Sequence, residues 1–180
     1  PEFQLDMVRA GVILYGARPS GDVEHIPELK PVMTLRSVIS HVKTVYPGES
    51  VSYGRVFKAD KAMKVATVPI GYADGFWRAN YKAPYTLSVN GSDAPILGRV
   101  CMDQLMVDVT GVRCGIGDEV VVFGSEPGHT ADDIAEINGT INYEVLCAVG
   151  ERVPRIFIKG GKIVSWYDIL SGERWRDNRR

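Results

Sequence analysis

Three short strings hold the residues most able to do chemistry. Val51-Ser52-Tyr53-Gly54 sets a tyrosine beside a glycine at the end of an apolar stretch. Gly71-Tyr72-Ala73-Asp74-Gly75 sets a second tyrosine between two glycines, and Gly98-Arg99-Val100-Cys101-Met102-Asp103-Gln104 follows. Packing alone asks for apolar alternation and has no use for tyrosines at glycine-flanked strand ends. Tyr53 reads either as rim packing or as a proton donor and acceptor. An unperturbed phenol has a pKa of ~10, so the second role needs positive neighbours that favour the phenolate. Tyr72 is, by itself, a hydrogen-bonded aromatic in a turn. Met102 is by its chemistry a space-filling side chain. Cys101 has no histidine near it in sequence, which argues against a nucleophile. Arg9 stands in Val8-Arg9-Ala10-Gly11-Val12-Ile13-Leu14-Tyr15, a run no core would give a charge; a salt bridge is its plain explanation. His25, His41 and His129 share no ligand spacing with cysteines or carboxylates, so surface or hydrogen-bonded histidines are expected and no metal site. No glycine-rich nucleotide loop is present.

The elements that must position these groups are mostly strands. Met7 to Tyr15 is short, apolar and closed by Gly16, which suits a buried strand; residues 17 to 29, with Pro19, Gly21 and Pro27, read as loop. Val32 to Val45 mixes polar and β-branched residues at near-period-two spacing before Pro47-Gly48, predicting one long strand. Further strands are expected at 64 to 70, 85 to 89, 95 to 101, 104 to 109 and 119 to 123, with a hairpin at Asn90-Gly91. Thr130 to Asp133 resembles a capping box opening a helix that stops at Asn138-Gly139. Asn142 is placed to cap a second helix, Tyr143 to Val149, in which Tyr143 is a first-turn aromatic. Strands return at Arg155 to Lys159 and Lys162 to Trp166, joined by Gly160-Gly161. Many short strands with glycine turns and one helical insert predict a mainly β fold, a closed or partly closed barrel.

Composition sets the outer bounds. With 180 residues, 45% of them hydrophobic and 24% charged, the chain holds one ordinary globular domain, or a domain and a remnant of another. Its net charge of -1 gives no reason to expect nucleic acid. The basic stretch Glu173 to Arg180 reads as a solvated tail or a local contact. Three cysteines without C-x-x-C spacing point to a reducing cytoplasm. No stretch reaches the ~18 apolar residues of a membrane span. Pro1-Glu2-Phe3-Gln4 reads as a cut into a longer chain.

Taken together, the strings around Tyr53, Tyr72 and Met102 resemble the C-terminal half of alanine racemases. The match runs in family order from Arg9 through Arg152-Val153-Pro154-Arg155. The resemblance implies a pyridoxal-phosphate enzyme. Racemisation needs a base on one face of the substrate Cα and an acid on the other. Tyr53 takes the family tyrosine's role, opposite the lysine that carries the cofactor. Tyr72, Arg78 and Arg99 would line the substrate mouth, a shape suited to a small amino acid. The backbone N–H of Met102 would bind the substrate carboxylate. Arg9 would meet the pyridine nitrogen and keep it unprotonated, restraining side reactions. Gly11 and Val12 would give backbone N–H groups to the phosphate, which Tyr143 would also hold while its ring favours alanine over serine. The Cys101-Met102-Asp103 order departs from the Cys-Glu-Ser motif of related pyridoxal-phosphate decarboxylases.

The resemblance also implies a missing part. These racemases carry the cofactor lysine in a Lys-Ala-Asn-like motif on an N-terminal (β/α)8 barrel, and none of the eight lysines here stands in such a motif. Residues 1–29 are expected to be the end of that barrel and 30–180 the C-terminal β-domain. The family forms head-to-tail homodimers. Tyr53 and Met102 would therefore serve a partner's cofactor, and Arg9 and Tyr143 their own. The chain alone is expected to fold and to be inactive. A serine racemase of the same fold, and a non-catalytic β-barrel interaction module, are the alternatives.

Overall fold

The computed structural model describes residues 5–19, 23, 25, 27–82 and 84–177. Gly21, Pro1 to Gln4 and the terminal residues 178–180 of the basic stretch lie outside the described residues. Among the described residues, twelve strands and two α-helices follow one another in chain order. The strands are β1 (Leu35–Val38), β2 (His41–Val45), β3 (Ser50–Val51), β4 (Phe57–Lys58), β5 (Met63–Val68), β6 (Thr86–Val89), β7 (Ser92–Pro95), β8 (Leu105–Asp108) and β9 (Glu119–Phe123). After helices α1 (Ala131–Asn138) and α2 (Asn142–Ala148) come β10 (Arg155–Lys159), β11 (Lys162–Tyr167) and β12 (Arg174–Arg176).

The pairings run nearly round a ring. β1, β9, β6 and β7 form one antiparallel sheet, and β2, β5 and β8 another. A bridge between Ile96 and Val107 joins them on one side. On the other side the chain itself turns the corner. Ile39 exchanges hydrogen bonds with the β9 side (to the Asp118 carbonyl, 2.9 Å, and from Gly117, 2.8 Å), whereas Ser40 donates to Thr67 beside β5 (2.9 Å). The stretch expected as one long strand is thus two, split because consecutive residues bond different sheets. The result is a partly closed, mainly β barrel.

Its core is aliphatic. Ile39, Val68, Leu87, Val89, Leu105, Val107, Val109, Val120 and Val122 are fully buried, and α1 adds Ile134 and Ala135. In β8 the alternation is visible directly, Leu105 and Val107 inward, Met106 and Asp108 half-buried. A second cluster, Val45, Val51, Ala59, Met63, Val65 and Leu97, lies beneath the β3–β4 ribbon.

The β6–β7 hairpin turns on Asn90 and Gly91, both at positive φ (51° and 75°), as a two-residue turn demands. Thr130 Oγ1 accepts the Asp133 N–H (3.1 Å) and Asp133 Oδ2 accepts the Thr130 N–H (2.7 Å), completing the capping box of α1. Three further expectations need correction. Residues 7 to 15 form no strand: Gly11–Tyr15 is a 3-10 turn, largely exposed, with only Val12 buried, because no strand among the described residues pairs with it. The strand expected at 95 to 101 sits earlier, at β7, since the two-residue turn fixes Val89 opposite Ser92. Asn142 does not cap α2. Its buried amide instead donates to the Arg18 carbonyl (2.8 Å) and to Asp132 (2.6 Å). Part of the basic stretch makes the local contact expected of it, as β12 paired to β11 with Trp175 opposite Trp166.

His129 is buried and hydrogen-bonded to Thr86 (3.0 Å), while His25 and His41 are exposed. Among the described residues no three His, Cys, Asp or Glu side chains are grouped to hold a metal ion, and no helix is long and apolar enough to cross a membrane.

Tyr85 closes the barrel from within. Its hydroxyl donates to the Val122 carbonyl (2.6 Å), and burial, then the nearby Asp133 charge, pushes its phenol well above the ordinary value. The folded state therefore holds it neutral. That contribution to stability is complete below about pH 10 and is lost as pH rises from there toward the raised folded value. Tyr85→Phe should cost about 1–2 kcal/mol at neutral pH, by orphaning a buried carbonyl. It should also remove this part of the alkaline loss. Urea midpoints at neutral and high pH check both.

Candidate active site

β3 ends at Val51, and the next residue leaves the sheet sharply. Ser52 has φ 66° and ψ 178°, Gly54 φ 72° and Arg55 φ 50°. The first is a conformation nearly reserved for glycine, worth roughly 1–3 kcal/mol of strain in any other residue. Two contacts hold it. Ser52 Oγ donates to the Arg99 carbonyl at 2.6 Å, and Gly98 lets the backbones close, since a Cβ there would stand 2.7 Å from Ser52 Cβ. Gly54 suits the left-handed backbone at φ 72° and also leaves room for a neighbour. A Cβ on it would lie 2.7 Å from Arg99 Nη1, so the glycine opens the place where the guanidinium rests. Between them Tyr53 projects outward.

The Gly71–Gly75 string is a turn held from both sides. A Cβ on Gly71 would fall 2.3 Å from the carbonyl oxygens of Cys101 and Met102. The Tyr72 and Ala73 N–H groups donate to those same oxygens (3.1 and 3.0 Å). At its other end, a Cβ on Gly75 would stand 2.2 Å from the Ala148 carbonyl, at the close of α2. Asp74 serves the turn twice: Oδ2 accepts the Gly71 N–H (2.8 Å), and its carbonyl accepts the Gly150 N–H (3.1 Å). Glycine at both ends is thus a matter of backbone approach, and tyrosine is the residue left facing out.

The three strings meet at Cys101. Its thiol lies 3.7 Å from Ser52 Oγ, and its carbonyl takes the Tyr72 N–H. The thiol itself is buried among these backbones, which suits a packing role. Met102 follows with its side chain out and its N–H without a partner among the described residues. Tyr53, Tyr72 and Met102 are 69%, 40% and 53% exposed, each on a segment that reaches Cys101. Arg99 joins them through its contact with Gly54, its Nε buried and unpartnered among the described residues. Arg78 opens the 3-10 turn Arg78–Lys82 and is exposed; among the described residues no hydrogen bond or ion pair ties it to the cluster.

A second group lies apart. Gly11 and Val12 begin the 3-10 turn whose far end is tied to the domain. Gly16 is at φ 73°, within reach of Lys30, and the Val32 N–H donates to Tyr15. Asn142 grips the Arg18 carbonyl, which draws this segment to the start of α2, where Tyr143 is exposed. The opposite end of α2 touches Gly75. Tyr143 and Ala148 are five residues apart along α2, a rise of ~7.5 Å, and that length of helix lies between Tyr143 and the Tyr72 turn. Arg9 is exposed beside its 3-10 turn.

Sequence reasoning passed over Arg152, Asp74 and Asp103. Arg152 Nε bonds Asp74 Oδ1 at 2.8 Å and its Nη2 bonds Asp103 Oδ1 at 2.7 Å. The hydrogen bond to Asp74, then that to Asp103, raises the guanidinium above even its ordinary value. The available signal was an aspartate in each of the two chemistry-bearing strings and an arginine in Arg152-Val153-Pro154-Arg155.

Comparison with known proteins bears on this face. The sequence model of the alanine racemase C-terminal domain matches residues 32–157. Alanine racemase 1 of Clostridium acetobutylicum is 48% identical over 168 residues, which cover 91% of this chain and 43% of that protein. The alanine racemase of Desulfovibrio desulfuricans is 50% identical over 160 residues, covering 88% and 43%. Among solved structures, alanine racemase of Clostridium difficile 630 in complex with cycloserine superposes with a TM-score of 0.89 at 44% identity, over 94% of this chain and 45% of that one. The Bacillus anthracis enzyme with bound L-Ala-P gives 0.83 at 36%, over 89% and 42%. The chain thus spans less than half the length of the curated relatives it matches.

The backbone approach at Gly71 is open to direct test. Gly71→Ala should cost about 1–3 kcal/mol or more, because backbone oxygens cannot move aside. Gly115→Ala, where a Cβ meets nothing within 4 Å, should stay within about 0.5 kcal/mol. Parallel denaturant titrations decide it.

Proposed function

Since the chain belongs to the alanine racemase family, we propose that it is the C-terminal part of an enzyme that interconverts L- and D-alanine with pyridoxal phosphate. The observation that carries this is the meeting at Cys101 of the segments that bear Tyr53, Tyr72 and Met102, all three exposed and on the very strings the family resemblance rests on.

Residues 1–29 are read as the end of the (β/α)8 barrel and 30–180 as the β-domain. The exposed Met7, Val8, Leu14 and Tyr15 support a covering neighbour for the first of these. The first N–H groups of the Gly11–Tyr15 turn have no acceptor within it, and Gly11 (φ 62°) has open space before it. That is a cradle fit for a phosphate, with Tyr143 near the same segment and Arg9 beside it for the pyridine nitrogen. Pyridoxal phosphate, when bound, supplies the electron withdrawal that makes the amino-acid Cα–H acidic.

This chain's own residues do the rest. Tyr53 Oη takes a proton from Cα on one face or returns it there, while a lysine outside this chain works on the other. The Met102 N–H fixes the substrate carboxylate, and a backbone donor held on both sides costs little to organise. Tyr72, Arg78 and Arg99 shape a mouth for a small amino acid, and the Tyr143 ring limits room beside Cα, favouring alanine over serine. By the family resemblance the protein is a head-to-tail homodimer, with Tyr53 and Met102 completing a partner's site. The three unpaired cysteines agree with a cytoplasmic protein.

In the full-length protein, Tyr53→Phe should lower kcat for alanine by about 10²–10⁴-fold, unequally in the two directions, without loss of bound cofactor. Retained D-alanine production would instead favour a non-catalytic module, and equal rates on serine a serine racemase. The isolated chain should not racemise alanine. Chiral product assay together with cofactor absorbance reads all of these.

A further inference from the structure

Resting on the racemase reading, we infer that Arg152 is a positioning residue that sets the Tyr72 turn against the Met102 segment by clasping Asp74 and Asp103. The two carboxylates belong to different segments, one before the long excursion through β6 and β7 and one after it. Backbone hydrogen bonds from Tyr72 and Ala73 join these segments edge to edge. That ladder is only two hydrogen bonds long, and Arg152 adds a side-chain tie across it. Arg152 reaches both with separate nitrogens, Nε to Asp74 and Nη2 to Asp103. A planar guanidinium holds two acceptors at a fixed angle, which an ammonium cannot do.

The clasp is itself anchored. Arg155 Nη2 donates to the Val149 carbonyl (2.7 Å) and the Gly150 carbonyl (3.3 Å), tying the loop that bears Arg152 to the end of α2. The Gly150 N–H returns to the Asp74 carbonyl, and Gly75 lies against Ala148. Asp103 is the immediate neighbour of Met102, so a pull on its carboxylate acts on the peptide next to the amide that receives the substrate carboxylate. Without Arg152, two like charges would face each other across two backbone hydrogen bonds, and the join between the segments would loosen. The Arg-Val-Pro-Arg string thereby acquires a role in binding that does not require contact with substrate.

The test uses the full-length protein. Arg152→Ala should raise KM for alanine about tenfold or more, the scale of a lost charge-assisted hydrogen bond, and change kcat by less than about threefold. Arg152→Lys, which retains the charge but not the fork, should fall between. Hydrogen exchange should quicken over 71–75 and 101–104 in both variants and stay unchanged in the 86–95 hairpin. An unaltered KM, a fall in kcat that merely follows lost folded protein, or unchanged exchange at 101–104 would overturn the inference. Should Arg152→Ala not fold, Arg152→Lys carries the same measurements. An inactive wild-type protein would sink the racemase reading, and exchange would still decide the clasp.

Discussion

The close approach of the Gly71–Gly75 turn to two backbones at once governs the geometry of the candidate site. On one side are the carbonyls of Cys101 and Met102, on the other the end of α2, and neither leaves room for a side chain at the glycines. Two consequences follow. The turn cannot shift without moving the segment that carries Met102. And the outward side chains of Tyr72 and Met102 are fixed by main-chain hydrogen bonds rather than by their own packing, which leaves them exposed yet well placed. Such an arrangement suits a surface that must receive something, because its polar groups are organised beforehand.

The barrel beneath supplies the rigidity. Its aliphatic core is continuous from β1 round to β9 and α1, and Tyr85 spends its one hydroxyl on a buried carbonyl. Against that background the strain at Ser52 is tolerable, since the adjacent Gly98 and Arg99 both hold the residue. Strain at a residue beside the candidate base is consistent with positioning taking precedence over local comfort.

Other parts of the chain are less well served. β10 to β12 form a sheet with exposed residues on both faces: Ile156 and Trp175 on one, Phe157 and Tyr167 on the other. The segment around Gly11 is equally open. Both are regions where a chain less than half the length of its relatives would be expected to lack its neighbours, and their apolar side chains fit that fact.

Much was legible in the sequence because much of it is local. The capping box at Thr130, the Asn90-Gly91 hairpin and the strand at 119 to 123 depend on residues a few positions apart, and they are where the pattern puts them. The motif strings identified the family, since a glycine-flanked tyrosine has few purely structural explanations. What only the tertiary structure decided depends on partners distant in sequence. The long strand breaks at Ile39 because two sheets compete for consecutive residues. Residues 7 to 15 form no strand because no described strand pairs with them. Asn142 leaves its cap because Arg18 and Asp132 offer its amide buried acceptors. The Asp74–Arg152–Asp103 clasp was hidden for the same reason. Each residue is ordinary alone, and only folding brings two carboxylates within reach of one guanidinium.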